Sequence, residues 1–278
     1  MQKKKIINRT NKIRLSQDPN VWKFNFQTFA DYDTVKNMQK PKFANNELYH
    51  IYNRGVEKRT IFLNQTDYLR FVHDLFEFND DKPTPSSNIR FSLRQPSMVN
   101  SNHLQQCLEV QLPNIARKLL VEVLVFCLMP NHYHLLLRQR IDGGIVKFMQ
   151  KLGTGYTNYF NQKCKRVGPL FQGRFKAVLI NRDSHFIHIP YYIHANPLEL
   201  IMPKWKEREI ENYKKAARFL ENYRWSSFLD YIGKKNFPSV TQRGFLLKLL
   251  GGPGEYEKDF IKWLKKINIE AIKDATWD

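Results

Sequence analysis

The feature that most constrains the fold of this 278-residue chain is a pair of apolar runs joined by a short turn. The first run, KLLVEVLVFCLM (Lys118–Met129), is rich in β-branched and aliphatic residues, as expected of a buried strand. Met129–Asn131 supplies the turn, and HYHLLLRQ then returns as a second strand. We therefore predict a β-hairpin near the middle of the chain.

The segments around this hairpin give a definite order of elements. ELYHIYNRG (Glu47–Gly55) alternates like a strand, and NQTDYLRFVHDLFEFN follows it with apolar residues at helical spacing. After the hairpin come a helix in GGIVKFMQKLGTGYTNYFNQK, a strand in GRFKAVLIN and a helix in RDSHFIHIPYYIHANP. The order β-α-β-β-α-β plus one extra helix is the ferredoxin-like split βαβ pattern, so we predict an α+β fold.

Three segments lie outside this pattern. Residues 1–45 are polar and basic and are interpreted as an N-terminal arm, although a translation start at Met38 would remove most of it. Residues 80–116 are rich in Asn, Ser and Pro and are interpreted as a loop insertion. The predicted main domain is therefore 46–200, followed by a C-terminal helical extension, 201–278.

The charge of the chain points to a polyanionic partner. Its 45 Lys and Arg residues outnumber 26 Asp and Glu residues, which gives a formal net charge of +19. A surface this basic favours nucleic acid as the partner, with solubilising lysines as the simpler alternative. There is no secretion signal and no apolar run of about 20 residues, so we expect a cytoplasmic protein without a membrane partner. Three cysteines without metal-ligand spacing are expected to be free thiols.

Two histidines open the second strand of the hairpin. His132 and His134 are two residues apart, so their imidazoles lie on one face of the strand while Tyr133 lies on the other. Two neutral imidazoles can hold one divalent ion, although two histidines at this spacing are often ordinary half-buried side chains.

A later segment adds a nucleophile. Tyr192 and Asn196 are four residues apart and share one helical face. A phenol beside a metal-bound phosphodiester can attack it and form a phosphotyrosine, which suits strand transfer better than hydrolysis. The alternative is that Tyr191 and Tyr192 are one core and one surface aromatic of an amphipathic helix.

Four segments together resemble a known family. MPNHYHLLL, YHIYNRG, GPLFQGRFKAVLI and YYIHANPLEL are similar to segments of IS200-like transposases, especially the REP-associated tyrosine transposase branch. The resemblance spans about Glu47 to Gly233. Members are HUH enzymes, in which two histidines flank a hydrophobic residue and the catalytic tyrosine lies on a later helix.

The resemblance implies a set of roles. His132 and His134 are implied to be metal ligands, Tyr192 the nucleophile within YIHANP, and Asn196 the third ligand of Mg²⁺ or Mn²⁺. It also implies an antiparallel sheet, a 5′-phosphotyrosine intermediate, single-stranded or hairpin DNA as the partner, and a possible homodimer. Tyr191 remains an alternative nucleophile.

Basic residues near two strands are candidates for DNA binding. Arg54, Lys58 and Arg59 follow the first strand, and Arg174 and Lys176 flank the start of the fourth. Such residues neutralise phosphates without reading bases. The nearby rings of Tyr52 and Phe171 are candidates for stacking on unpaired bases.

Two other functions fit the same patterns. A non-catalytic hairpin-binding protein that retains the fold would bind nucleic acid in a salt-sensitive way that is indifferent to EDTA. A hydrolytic nuclease with the same metal would release products without a protein–DNA adduct.

Overall fold

The computed structural model describes residues 41–82, 117–207, 210–266 and Thr276. All of them belong to one compact unit, Gln39–Asp278. Most of the predicted arm and most of the predicted loop insertion lie outside the described residues. Cys127 and Cys164 are free thiols, as predicted, and Cys107 lies outside the described part.

The main elements follow the predicted order, and four further helices of the described residues come after them. They are β1 Leu48–Arg54, α1 Gln65–Glu77, β2 Val121–Met129, β3 His132–Gln139, α2 Gly144–Lys163, β4 Lys176–Leu179 and α3 Asp183–Ala195. The C-terminal part contains α4 Tyr213–Asn222, α5 Phe228–Tyr231, α6 Gly244–Leu249 and α7 Pro253–Lys265. Short 3₁₀ turns cover Val56–Lys58, Asn196–Leu200 and Trp205–Glu207.

The four strands form one antiparallel sheet in the order β2-β3-β1-β4. This is the strand order of the ferredoxin-like fold. The chain leaves β1 through α1 and enters the sheet again two positions away, as β2. The hairpin then places β3 between β2 and β1. The ferredoxin-like, antiparallel α+β prediction is therefore confirmed. The register sets Arg54 opposite His132 and Tyr52 opposite His134, so these four residues share one face.

The other face of the sheet carries the main hydrophobic core. Helices α1 and α2 pack there, and the Tyr133 ring lies 5.1 Å from that of Phe71. The apolar positions predicted for α2 are all buried: Ile145, Phe148, Met149, Leu152, Tyr156 and Tyr159. Two of these tyrosines bond within this core, since Tyr156 donates to the Ile61 carbonyl at 2.6 Å and Tyr159 to the Asp67 carboxylate at 2.7 Å.

Helix α3 packs against β2 and β3 on the face that bears His132 and His134. The helix continues through Pro190, so this proline does not mark its start. With α1 and α2 on one face and α3 on the other, the sheet is covered on both sides. The candidate site is therefore an interior face rather than an open one.

The C-terminal segment closes the free edge of β2. Leu128 N donates to the Trp225 carbonyl at 2.9 Å, and Ser227 N donates to the Phe126 carbonyl at 3.0 Å. These bonds satisfy backbone groups that an edge strand would otherwise expose. None of the described helices is both long enough and apolar enough to cross a membrane.

Candidate active site

The predicted histidine pair forms the floor of the site. His132 and His134 lie on one face of β3 with their ring centroids 5.1 Å apart, and both are almost completely buried. Tyr133 points into the opposite core, as the alternation of a strand requires. The prediction that the two imidazoles share a face is confirmed.

The turn before β3 determines the tautomer of His132. Asn131 donates through Nδ2 to the Lys58 carbonyl at 3.3 Å, which leaves its Oδ1 as an acceptor. His132 Nδ1 lies 2.6 Å from that oxygen and must therefore donate its proton to it. The Nε2 atom of His132 consequently carries a lone pair, which is the form that binds a metal ion.

A third histidine joins the pair, and sequence reasoning missed it. Nε2 of His50 lies 3.0 Å from Nδ1 of His134, and the two rings stack with centroids 5.1 Å apart. The signal was present in YHIYNRG, because strand alternation sets His50, Tyr52 and Arg54 on one face. The alternation alone did not reveal which strand would lie beside them.

The electrostatic environment keeps the imidazoles neutral. Burial, followed by the fields of Arg54 and Lys206, lowers the pKa of His132 from 6.5 to about 3. Burial also lowers the pKa of His134 well below its ordinary value, with smaller contributions from His132 and His50. Neutral imidazoles are the form required of metal ligands.

Helix α3 presents Tyr192 to the histidines. The Tyr192 ring is fully buried, 6.0 Å from the His134 ring and 6.1 Å from the His50 ring, edge-on to both. Its neighbour Tyr191 packs away from the site, against the α7 residues Tyr256, Phe260 and Trp263. Of the two adjacent tyrosines, Tyr192 is the one whose ring lies beside the histidines.

Asn196 follows one turn after Tyr192. Its Nδ2 donates to the Tyr192 carbonyl at 2.8 Å, which holds the side chain at the end of α3. Its Oδ1 is buried and accepts no hydrogen bond from the described residues. A buried amide oxygen without a donor is costly, so this atom is suited to a ligand such as a cation.

The chemistry of the predicted donor set can be compared with the needs of a divalent ion. In the described part of the chain no three His, Cys, Asp or Glu side chains come together as a metal site. Neutral imidazoles and an amide oxygen are nevertheless donor types that a divalent ion accepts, and the assignment of His132, His134 and Asn196 as its ligands stays a prediction.

The predicted DNA-binding residues divide between the two faces of the sheet. Arg54 lies opposite His132, and Lys176 lies opposite Tyr52 on the same face. Lys58 is exposed on the turn that accepts the Asn131 bond, and Arg59 follows it half-buried. Arg174 instead lines a groove of about 820 Å³ beside α2, which Tyr133 also lines, so it lies on the opposite face.

The two aromatics considered for base stacking are both buried. Tyr52 and Phe171 are each 7% exposed. The Tyr52 ring lies 5.1 Å from His50, and the Phe171 ring packs 5.7 Å from Tyr133. Both rings therefore belong to the packed interior and present little surface to a base.

Comparison with known proteins gives two findings. The family model described as "Transposase IS200 like" matches residues 91–196, which contain β2, β3, α2, β4, α3 and Asn196. The chain is similar to a solved structure of a REP-associated tyrosine transposase bound to a REP hairpin, at 11% identity and a TM-score of 0.40. That match covers 73% of this chain and 90% of the other.

No curated protein matches the sequence. The family match includes the histidine pair and ends at Asn196, so it contains the Tyr192 segment as well. Residues 91–196 of this chain are therefore similar to the IS200-like transposase family.

Proposed function

We propose that this chain is a metal-dependent DNA strand transferase in which Tyr192 is the nucleophile. The observation that carries the proposal is the position of the Tyr192 ring, edge-on to His134 and His50 in the same interior site. The net charge of +19 supports a nucleic-acid substrate, and the family match supports DNA transposition as its context.

In the proposed reaction the phenol oxygen of Tyr192 attacks a phosphorus atom of single-stranded DNA. The new O–P bond forms as the bond from phosphorus to the 3′ oxygen breaks. The phenol gives up its proton to solvent, and the departing 3′ oxygen takes one up, so the products are a 5′-phosphotyrosine and a free 3′-OH. Because the phosphodiester energy is retained, a second 3′-OH can reverse the step on another strand.

The residues that we propose hold the cation are His132, His134 and Asn196. When bound, Mg²⁺ or Mn²⁺ would polarise the phosphodiester toward attack. The chain itself supplies the orientation: Asn131 fixes the His132 tautomer, and His50 holds the His134 ring through their 3.0 Å contact. Each contact occupies the Nδ1 atom of His132 or His134, which leaves the Nε2 atom of that histidine to face a metal ion.

Access to the phenol requires a side chain to move, because Tyr192 is fully buried. Among the described side chains that lie beside its ring are His50, His134, Trp205 and Lys206. The first three are buried, whereas Lys206 is half-exposed. We therefore expect DNA to enter on the Lys206 side.

The decisive experiment looks for the covalent intermediate. The protein is incubated with hairpin-bearing single-stranded DNA and Mg²⁺, and an SDS-resistant protein–DNA adduct is sought. We expect Tyr192→Phe to form no adduct and Tyr191→Phe, whose ring packs on α7, to retain it. Equal adduct yields from Tyr192→Phe and the parent would refute the assignment of the nucleophile.

One observation favours a second function. Full burial of Tyr192 is also what a nucleic-acid-binding protein without catalysis would retain, because a core tyrosine stabilises the fold. This alternative predicts salt-sensitive binding of hairpin DNA that EDTA does not change, and no adduct with any substrate.

A further inference from the structure

A lysine from the C-terminal segment reaches the candidate site. Lys206 lies in the 3₁₀ turn Trp205–Glu207, ten residues beyond the end of the family match. Its neighbour Trp205 is fully buried, with its ring 6.0 Å from Tyr192 and 6.5 Å from Trp263. The buried tryptophan fixes the position of the turn, and so of the lysine that follows it.

The ammonium of Lys206 lies over the proposed nucleophile. Its Nζ is 5.6 Å from the centre of the Tyr192 ring and 6.0 Å from that of Trp205, both cation–π distances. Its positive charge also contributes to lowering the pKa of His132 and of His134, after the larger effect of burial. The charge therefore acts on the tyrosine and on both histidines.

This arrangement gathers positive charge in one place. Arg54 lies opposite His132 in the register and adds a second cation that acts on it. A phosphate anion that enters beside the histidines would be attracted by the positive charges of both side chains. A phosphodiester is the anion that the proposed reaction brings to this site.

We propose that Lys206 is a further catalytic residue, which binds a non-bridging oxygen of the attacked phosphodiester. The proposal rests on the proposed function. In the free protein the ammonium covers the Tyr192 ring. When DNA enters, the half-exposed side chain turns from the ring to the phosphate, which uncovers the phenol and neutralises charge that develops on the phosphate. No proton passes through Lys206 in this step.

Binding without catalysis provides the first test. Copies of a hairpin-bearing single-stranded oligonucleotide are prepared, each with one uncharged methylphosphonate linkage at a different position. The affinity of the protein for each copy is measured in EDTA. We expect the parent to lose affinity at one linkage and Lys206→Ala to lose that position-specific effect. Lys206→Arg should keep it, because a guanidinium also binds phosphate. Lys215→Ala, exposed on the neighbouring helix α4, removes the same charge and should retain the parent profile. Identical profiles for Lys206→Ala and the parent would overturn the proposal.

The second test measures the single-turnover rate of adduct formation with Mg²⁺. Lys206→Ala is expected to be slower by about 10²-fold, the usual loss when one group that stabilises developing charge is removed. Lys215→Ala should react at the parent rate. Adduct formation at an equal rate by Lys206→Ala would remove Lys206 from the mechanism and leave the proposed function intact. If the parent shows a position-specific methylphosphonate effect but forms no adduct, the contact between Lys206 and phosphate is supported and the strand transferase is rejected.

Discussion

His50 changes the chemistry available to the histidine pair on β3. The 3.0 Å contact between His50 Nε2 and His134 Nδ1 requires that one of these nitrogens carry the proton and the other accept it. If His134 binds a cation through Nε2, its Nδ1 is the donor and His50 the acceptor. A metal-ligating histidine is commonly oriented by such a partner on its other nitrogen.

We predict that His50→Leu weakens Mn²⁺ binding by about 10- to 100-fold, the usual effect of removing a partner that orients a ligand. His50→Gln should retain most of the affinity, because its terminal amide offers an acceptor near the position of Nε2. Isothermal titration of the DNA-free protein measures both values.

The control for this experiment is His73→Leu, since His73 lies on α1 and approaches Asp74 instead. Its Mn²⁺ affinity should equal that of the parent. Unchanged affinity in His50→Leu would show that His134 does not depend on His50 for its orientation.

At the scale of elements, α3 is held from two sides. Tyr192 faces the sheet, and His194 connects the helix to the C-terminal segment. His194 Nδ1 lies 2.7 Å from the Tyr256 hydroxyl, and its Nε2 lies 2.8 Å from Ser227 Oγ. Ser227 Oγ in turn accepts from Phe126 N at 3.0 Å. One buried histidine thus links α3, α7 and the edge of β2.

We predict that Tyr256→Phe lowers the free energy of unfolding by about 1–3 kcal/mol, because it leaves a buried His194 nitrogen without its hydroxyl partner. Urea denaturation followed by circular dichroism measures the loss. Tyr213→Phe, at a half-buried position of α4, removes a hydroxyl from a wetter place and should change stability much less. Equal losses in the two variants would mean that the His194 contact is not specifically stabilising.

For the whole molecule, buried neutral histidines make stability depend on pH. Burial lowers the pKa of His194 to about 3, and the pKa values of His132 and His134 are lowered as well. Below pH 6.5 the unfolded chain takes up protons that the folded chain excludes. The contribution of these histidines to the free energy of unfolding is therefore fully present above pH 6.5. It is lost as the pH falls toward their pKa values in the folded chain.

We predict that the free energy of unfolding, measured with urea in EDTA, falls steadily between pH 7 and pH 5. Each such histidine contributes a slope of up to about 1.4 kcal/mol per pH unit. His194→Gln should reduce the slope by about that amount. A parent slope that His194→Gln does not alter would contradict the assignment of His194 as a group that is buried neutral.

The order of the main elements was predictable because each rests on a local pattern. The hairpin followed from two apolar runs around Met129–Asn131, and the buried face of α2 from the spacing of its apolar residues. The fourth strand is shorter than GRFKAVLIN suggested, only Lys176–Leu179, since Gly173 has a left-handed φ of 81° that interrupts extended pairing. Helix α4 was missed because YKKAARFLEN is short and mostly polar, and only Ala216 and Leu220 are buried.

The sequence by itself determined which residues share a face of one element. His132 and His134 had to lie together because a strand repeats every two residues, and Tyr192 and Asn196 because a helix returns after four. The tertiary structure decided which elements meet. Sheet register brought His50 to His134, and packing turned Tyr191 toward α7 and Tyr192 toward the histidines. The approach of Lys206 likewise depended on the burial of Trp205. These contacts join residues far apart in the chain, and no local periodicity encodes them.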